Sequence, residues 1–330
     1  MSGVVLPPSS GPVGPEGPEG SAGGDPVPGL PSALVPDAAG ADERGTSLWR
    51  GAWRRLRRDP AAIVGAVVVL AFVLVALLAP VIAPYAPAGA QWANQVTPSS
   101  VPGPSDEHLL GLDSFGSDLF TQLVFGARQS LVIGVVSTAI GLAFGAALGL
   151  LAGAFGGWVD TVVMRVVDIM LSIPSLLLAV SIAALVGPSP TSLMIAIGAA
   201  QVPIFARLLR GSLLSQRRAD YVLAASSLGL RHRTVVMSHM LPNSLSPVIV
   251  QATLVLATAI IEVAALSYLG LGDPNPTVAE WGRMLVRAQD RLATDPHLAL
   301  LPCACIAVTA LGFTLLGEAL RESLDPTFRR

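Results

Sequence analysis

Arg217-Arg218-Ala219-Asp220-Tyr221-Val222-Leu223-Ala224-Ala225-Ser226-Ser227-Leu228-Gly229 stands between two apolar stretches long enough to cross a bilayer, and His239-Met240-Leu241-Pro242-Asn243 follows it. An arginine-bearing polar segment so flanked must lie outside the hydrocarbon. Its order reads as a helix, a glycine turn and a second short helix. Ala224, Ala225 and Leu228 fall on one helical face, small enough for another surface to approach closely. Gly229 is placed to end the first helix, with Arg231 and Arg233 after it, and Pro242 separates the unit from the next apolar span.

Outward from this segment the chain is a series of apolar runs: Ala61–Ala83, Ser130–Phe155, Val162–Val186, Thr191–Leu209, Pro247–Leu269 and Leu298–Leu320. Such runs suit a hydrocarbon core of roughly 30 Å. The fold class read from sequence is therefore all-α, a polytopic membrane protein with about six transmembrane helices. Composition agrees: 52% of residues are hydrophobic and 13% charged, where soluble domains carry roughly 25% charged residues. A net charge of −2 gives no basic field for nucleic acid. The chain contains no lysine, which excludes a Walker A loop on it, so any ATP must be hydrolysed by another subunit. Cys303 and Cys305 sit inside an apolar run and read as small hydrophobes, not as metal or redox groups.

Residues 1–47, rich in Gly and Pro, read as a disordered cytoplasmic tail. Residues 48–84 combine a basic, aromatic interfacial segment (Trp49, Arg50, Trp53, Arg54, Arg55, Arg57, Arg58) with the first helix, which reads as a signal-anchor. Residues 85–129 form an extracytoplasmic loop, and 130–330 hold about five more helices with a polar loop at 211–246. Arginine placement puts both termini and that loop in the cytoplasm, leaving Arg128, Arg283, Arg287 and Arg291 outside.

Several of these stretches resemble one family. Ala224-Ala225, Gly229 and Leu241-Pro242 hold the spacing of the coupling loop of ABC importer permeases, with Leu223 in place of its glutamate and His239 in place of its isoleucine. Leu266-Ser267-Tyr268-Leu269-Gly270-Leu271-Gly272, with Pro274, Pro276 and Trp281-Gly282, resembles the signature of the second permease subunit of the dipeptide/oligopeptide/nickel importers. Gly111-Leu112-Asp113-Ser114-Phe115-Gly116-Ser117-Asp118 is similar to a run before that family's second helix; turns and a helix cap explain it better than calcium, because EF-hand spacing is absent. Gly156, Gly157, Asp160, Met164, Arg165, Asp168 and Pro174 match a further family pattern. Together the resemblances extend from about Trp49 to Arg330.

The resemblance implies a type I ABC importer permease fold in the bacterial inner membrane. It implies a heterodimer with a homologous second permease subunit and an extracytoplasmic solute-binding protein. One or two ATP-binding subunits would hold the ATP and Mg, this chain carrying no cofactor, no metal and no catalytic chemistry. It places ATPase coupling on Asp220, Tyr221, Ala224, Ala225, Leu228, Gly229, His239, Leu241, Pro242 and Asn243. The implied cargo is di- or oligopeptides, with nickel or haem as the alternative for the same machine. A membrane enzyme or a non-transporting scaffold is the alternative of another class. His108, His232, His239 and His297 are scattered without metal-ligand spacing, and no nucleophile elbow is present.

Inside the spans, Gly141, Gly145, Gly149 and Gly153 line one helical face and read as packing within the subunit ahead of a seam with a partner. Arg165 and Asp168, three apart, can pair, as a structural tie or as part of a gate. Pro174 should kink that helix. Glu262, a single acid deep in an apolar span, should face a pore or a helix contact and not lipid. Gln201 and Pro203 mark a polar, broken point in the fourth span.

Overall fold

The computed structural model describes residues 53, 55–87, 90–97, 100–275 and 278–324. The tail at 1–47, with Trp49, Arg50, Arg54, Pro276 and Thr277, lies outside the described residues. The helices are α1 (Pro60–Ile82), α2 (Leu119–Phe155), α3 (Gly157–Leu171), α4 (Ser175–Val186), α5 (Pro190–Gln216), α6 (Asp220–Ser227), α7 (His232–Thr234), α8 (Leu241–Tyr268), α9 (Trp281–Ala288) and α10 (His297–Leu324). Five helical runs are long and apolar enough to cross a membrane: α1, α2, α5, α10 and the stretch through α7 and α8. The pair α3 and α4 makes a sixth if counted as one bent span. The expected all-α architecture is what the chain adopts; among the described residues, β pairing is confined to two isolated bridges.

Helix ends depart from the hydropathy reading where polar residues are buried in protein. α2 begins at Leu119, well before Ser130, because Asp118 accepts the Thr121 N–H at 2.8 Å and caps it. Its first turns bury Thr121 and Gln122, residues that lower hydropathy without breaking a helix. The 37 residues of α2 run roughly 55 Å, further than a hydrocarbon core needs. α1 starts with Asp59 accepting the Ala61 N–H and Pro60 in the first turn.

Three expectations about prolines are corrected. The third span is not a kinked helix: α3 and α4 meet at 91° across Ser172-Ile173-Pro174. Pro174 cannot donate to the helix before it and disfavours helical geometry at Ile173, so the chain turns there. By contrast α5 runs unbroken through Pro203, so that point is not a break. Pro242 does not separate α8 from the loop. It is the second residue of α8, which continues from the π-helical turn at Val235–Met240 without a break in the helical run.

Three apolar clusters form the interior. One surrounds Trp281 and joins α1, α2, α8, α9 and α10. A second joins α2 (through Ile133), α4, α5 and α8, and a third packs α5 and α6 against the π-helical turn and α8. The most extensive helix–helix contact is between α2 and α5. A Cβ added to Gly145 would lie 2.5 Å from the Val202 carbonyl oxygen, one at Gly149 2.6 Å from the Ala206 oxygen, and one at Gly141 2.8 Å from the Gln201 Cβ. At Gly153 it would lie 2.8 Å from Leu213. The glycine face is thus filled by a helix of the same chain, as direct backbone packing requires.

Candidate functional site

The segment from Arg217 to Asn243 forms a compact cap at the end of the bundle where α2 and α5 finish. α6 starts at Asp220, an exposed acid in its first turn that suits the helix dipole. The Tyr221 hydroxyl donates to the Gln216 side chain and accepts from Asn243 Nδ2, which also donates to the His239 carbonyl at 2.8 Å. Val222 and Ala225 are buried against the third cluster, which includes Val235, Val236 and Met240. Gly229, with φ of 77°, turns the chain away after Leu228. That left-handed conformation favours glycine.

The expected face of Ala224, Ala225 and Leu228 is divided. Ala225 turns inward with Val222, three residues earlier, because the π-helical turn lies on that side. Ala224 and Leu228 stay exposed, and Leu228 is 83% exposed with Leu223 at 55%. Leu241 packs on the third cluster while Pro242 and Asn243 are exposed. An apolar surface therefore stands free on a short helix whose other side is packed against the third cluster.

Polar groups in the spans pair between helices. Asp168 does not pair with Arg165; its partner is Arg207 of α5, at 2.5 Å. Helix α5 lies alongside and offers a guanidinium at that level, whereas Arg165 projects outward, exposed, with no ion pair among the described residues. One turn further along α5, Arg210 grips both oxygens of Asp160, at 2.5 and 2.6 Å. Beside the Asp168–Arg207 pair an open cleft of about 340 Å³ is lined by Leu171, Ile204, Arg207, Leu208 and Gln251. Glu262 is partly buried and accepts the Ser175 hydroxyl at 3.1 Å, joining α8 to the start of α4 just past the bend. Its second oxygen is buried. Gln201 is 3% exposed, packed on Gly141.

The opposite end of the bundle is a set of tight local devices. Asp113 accepts the N–H groups of Phe115 and Ser117 and pairs with Arg287 at 3.0 Å. Asp118 caps α2 and meets His108 at 3.0 Å. Turns and caps thus account for both aspartates. Trp281 is fully buried, its indole N–H donating to the Leu123 carbonyl at 3.0 Å. Gly126 and Gly282 leave room for that contact; a Cβ on Gly282 would lie 2.5 Å from the Ala264 oxygen. The Trp-Gly signature is thus a clamp of α9 onto α2 and α8. Glu280, 2% exposed, accepts the Gly282 N–H at 3.1 Å. Burial pushes its carboxyl up to about 7, against the Ser267 hydroxyl and the Gly282 N–H, which lower it.

Asp160, Arg207, Arg210, Arg217, His232 and Glu280 were not singled out as pairing groups from sequence. An acid in one span with an arginine in another at similar depth is the available signal, but it leaves the pairing ambiguous. Among the described residues no group of three or more His, Cys, Asp or Glu could hold a metal ion.

A family model described as "Binding-protein-dependent transport system inner membrane component" matches residues 145–330. Another, "N-terminal TM domain of oligopeptide transport permease C", matches residues 47–100. The dipeptide transport system permease protein DppC of Alkalihalophilus pseudofirmus is 42% identical over 283 residues, 86% of this chain and 91% of that protein. The glutathione transport system permease protein GsiD is 36% identical in Pectobacterium atrosepticum, over 85% of this chain and 92% of that one. In Escherichia coli it is 38% identical, over 85% and 91%. Matched over more than half its length by that model and over most of it by these relatives, the chain belongs to the binding-protein-dependent transport system inner membrane components, as a permease subunit of an ABC importer.

Proposed function

We propose that this subunit forms half of a translocation path for di- or oligopeptides, pairs with a homologous permease subunit, and takes its energy from ATP-binding subunits docked on α6. The observation that carries the coupling role is the free apolar surface of α6 and its C-terminal end, with Leu223 55% and Leu228, the residue that ends the helix, 83% exposed while the other side is packed. The peptide reading is supported by relatives named for dipeptide and glutathione transport, glutathione being itself a peptide. In this reading α6 faces the cytoplasm, which the arginine distribution supports, and the Asp113–Arg287 end meets a solute-binding protein outside. ATP-driven closure of the nucleotide-binding subunits then moves α6 and reorients the spans in alternating access.

The test is reconstitution of the chain with its partner permease, ATP-binding subunits and binding protein in proteoliposomes. ATP-dependent accumulation of a labelled dipeptide or glutathione is the expected result. Accumulation of nickel or haem with no peptide uptake would overturn the cargo assignment. Absence of any ATP-driven uptake by an assembled complex would overturn the transport reading.

A further inference from the structure

The helix read above as the ATPase contact, α6, is bracketed by two residues that reach the same atom. Arg217, at the end of α5, donates from Nη2 to the Ala154 carbonyl oxygen at 2.9 Å. His232, opening α7, places Nε2 2.9 Å from that same oxygen. A carbonyl only accepts, so Nε2 carries the hydrogen. Ala154 lies in the last turn of α2, where carbonyls lack donors within the helix and the negative end of the helix dipole gathers. The Arg217 guanidinium also covers Gly156, within 3.6 Å of where a Cβ would sit; Gly156 ends α2 and leads into α3 at a φ of 66°. From that turn α3 is fixed to α5 by Asp160–Arg210 and Asp168–Arg207.

We propose that Arg217 and His232 are positioning residues that transmit movement of α6 to the turn between α2 and α3. The inference rests on reading α6 as the ATPase contact. A loop tethered at one end can swing without moving the bundle. With both ends on a single acceptor, α6 cannot be displaced without pulling the end of α2 or breaking these bonds, and the α3 pairs carry the pull toward the bend at Pro174. A discrete packed element with two arrangements is the physical requirement for such transmission.

The experiment uses the full reconstituted complex carrying Arg217→Leu, His232→Leu or both. It measures co-purification of the ATP-binding subunits, ATP hydrolysis and peptide uptake in the same proteoliposomes. Assembly and hydrolysis should persist while uptake per ATP falls roughly fivefold for each lost bond, about the weight of one net hydrogen bond. His232→Gln and Arg217→Lys, which keep a donor, should restore the ratio. Wild-type uptake per ATP in the double variant overturns the proposal. So does loss of the ATP-binding subunits, which would assign both residues to docking or folding. Failure of the underlying reading looks different: Leu228→Asp would then leave the ATP-binding subunits bound as in the wild type.

Discussion

Replacing Leu228 with Asp tests the docking surface at the place where the structure makes the outcome calculable. The side chain is 83% exposed, so the subunit itself loses almost no packing when it changes. If a partner covers it, burial of a leucine contributes about 1.5–3 kcal/mol. Aspartate forfeits that and leaves a carboxylate to be desolvated, adding about 1 kcal/mol or more. A total near 3 kcal/mol corresponds to affinity lower by about 150-fold. Titrating the ATP-binding subunit against the permease pair in nanodiscs measures it directly. Leu228→Ala should fall between, weaker by about tenfold. Gly229→Trp would be a poorer probe. Nothing lies within 4 Å of a Cβ there, but the φ of 77° strains any L side chain, so lost function would mix backbone strain with overpacking. Gly229→Asn, which tolerates that conformation, is the control and should bind nearly normally. Wild-type affinity in Leu228→Asp would refute α6 as the contact.

Other outcomes follow from the interior. Gly145→Ala places a methyl 2.5 Å from the Val202 oxygen and should destabilise the α2–α5 pair by about 1–3 kcal/mol, whereas Gly211→Ala, with open space around it, should be neutral or mildly stabilising. Thermal unfolding in detergent reads both, and equal behaviour of the two would sink the packing argument. Glu280 holds its proton to about pH 7 in the fold and to 4.5 in the open chain. Its contribution is therefore full below 4.5 and lost as pH rises to about 7, a change of about 3 kcal/mol. Thermal stability should decline across that window, and Glu280→Gln should flatten the profile; an unchanged slope in the variant removes Glu280 as the cause. Glu262→Gln keeps an acceptor for Ser175 and should preserve recovered complex, while Glu262→Ala should reduce it through a lost tie of about 1 kcal/mol or more. If Glu262→Gln instead alters uptake or cargo preference at full recovery, the carboxylate faces the cargo path.

What the sequence disclosed and what it withheld follow from the range of the forces involved. A span is recognisable because about 20 apolar residues add their transfer energies along one contiguous stretch. The ends of spans are decided by neighbours, as Thr121 and Gln122 show: both are polar, yet the chain buries them inside α2. Local turn chemistry was legible too, since Asp113, Asp118 and Gly229 act on residues close by. Pairing between helices was not. Arg165 is the sequence neighbour of Asp168, yet Arg207 takes it, because helix packing sets which guanidinium reaches that level. The inward turn of Ala225 has the same origin: the helical period places three residues near one face, and only the π-helical turn at Val235–Met240 determines which of them is covered. The Trp281-Gly282 signature shows the reverse case. Its residues were legible as a family mark, but their work, locking α9 against Leu123 and Ala264, appears only when segments distant in the chain are brought together. The same separation governs Arg217 and His232. Each is an ordinary polar residue in a polar loop until both are seen to meet one carbonyl of α2, and that convergence gives an exposed helix purchase on the membrane core.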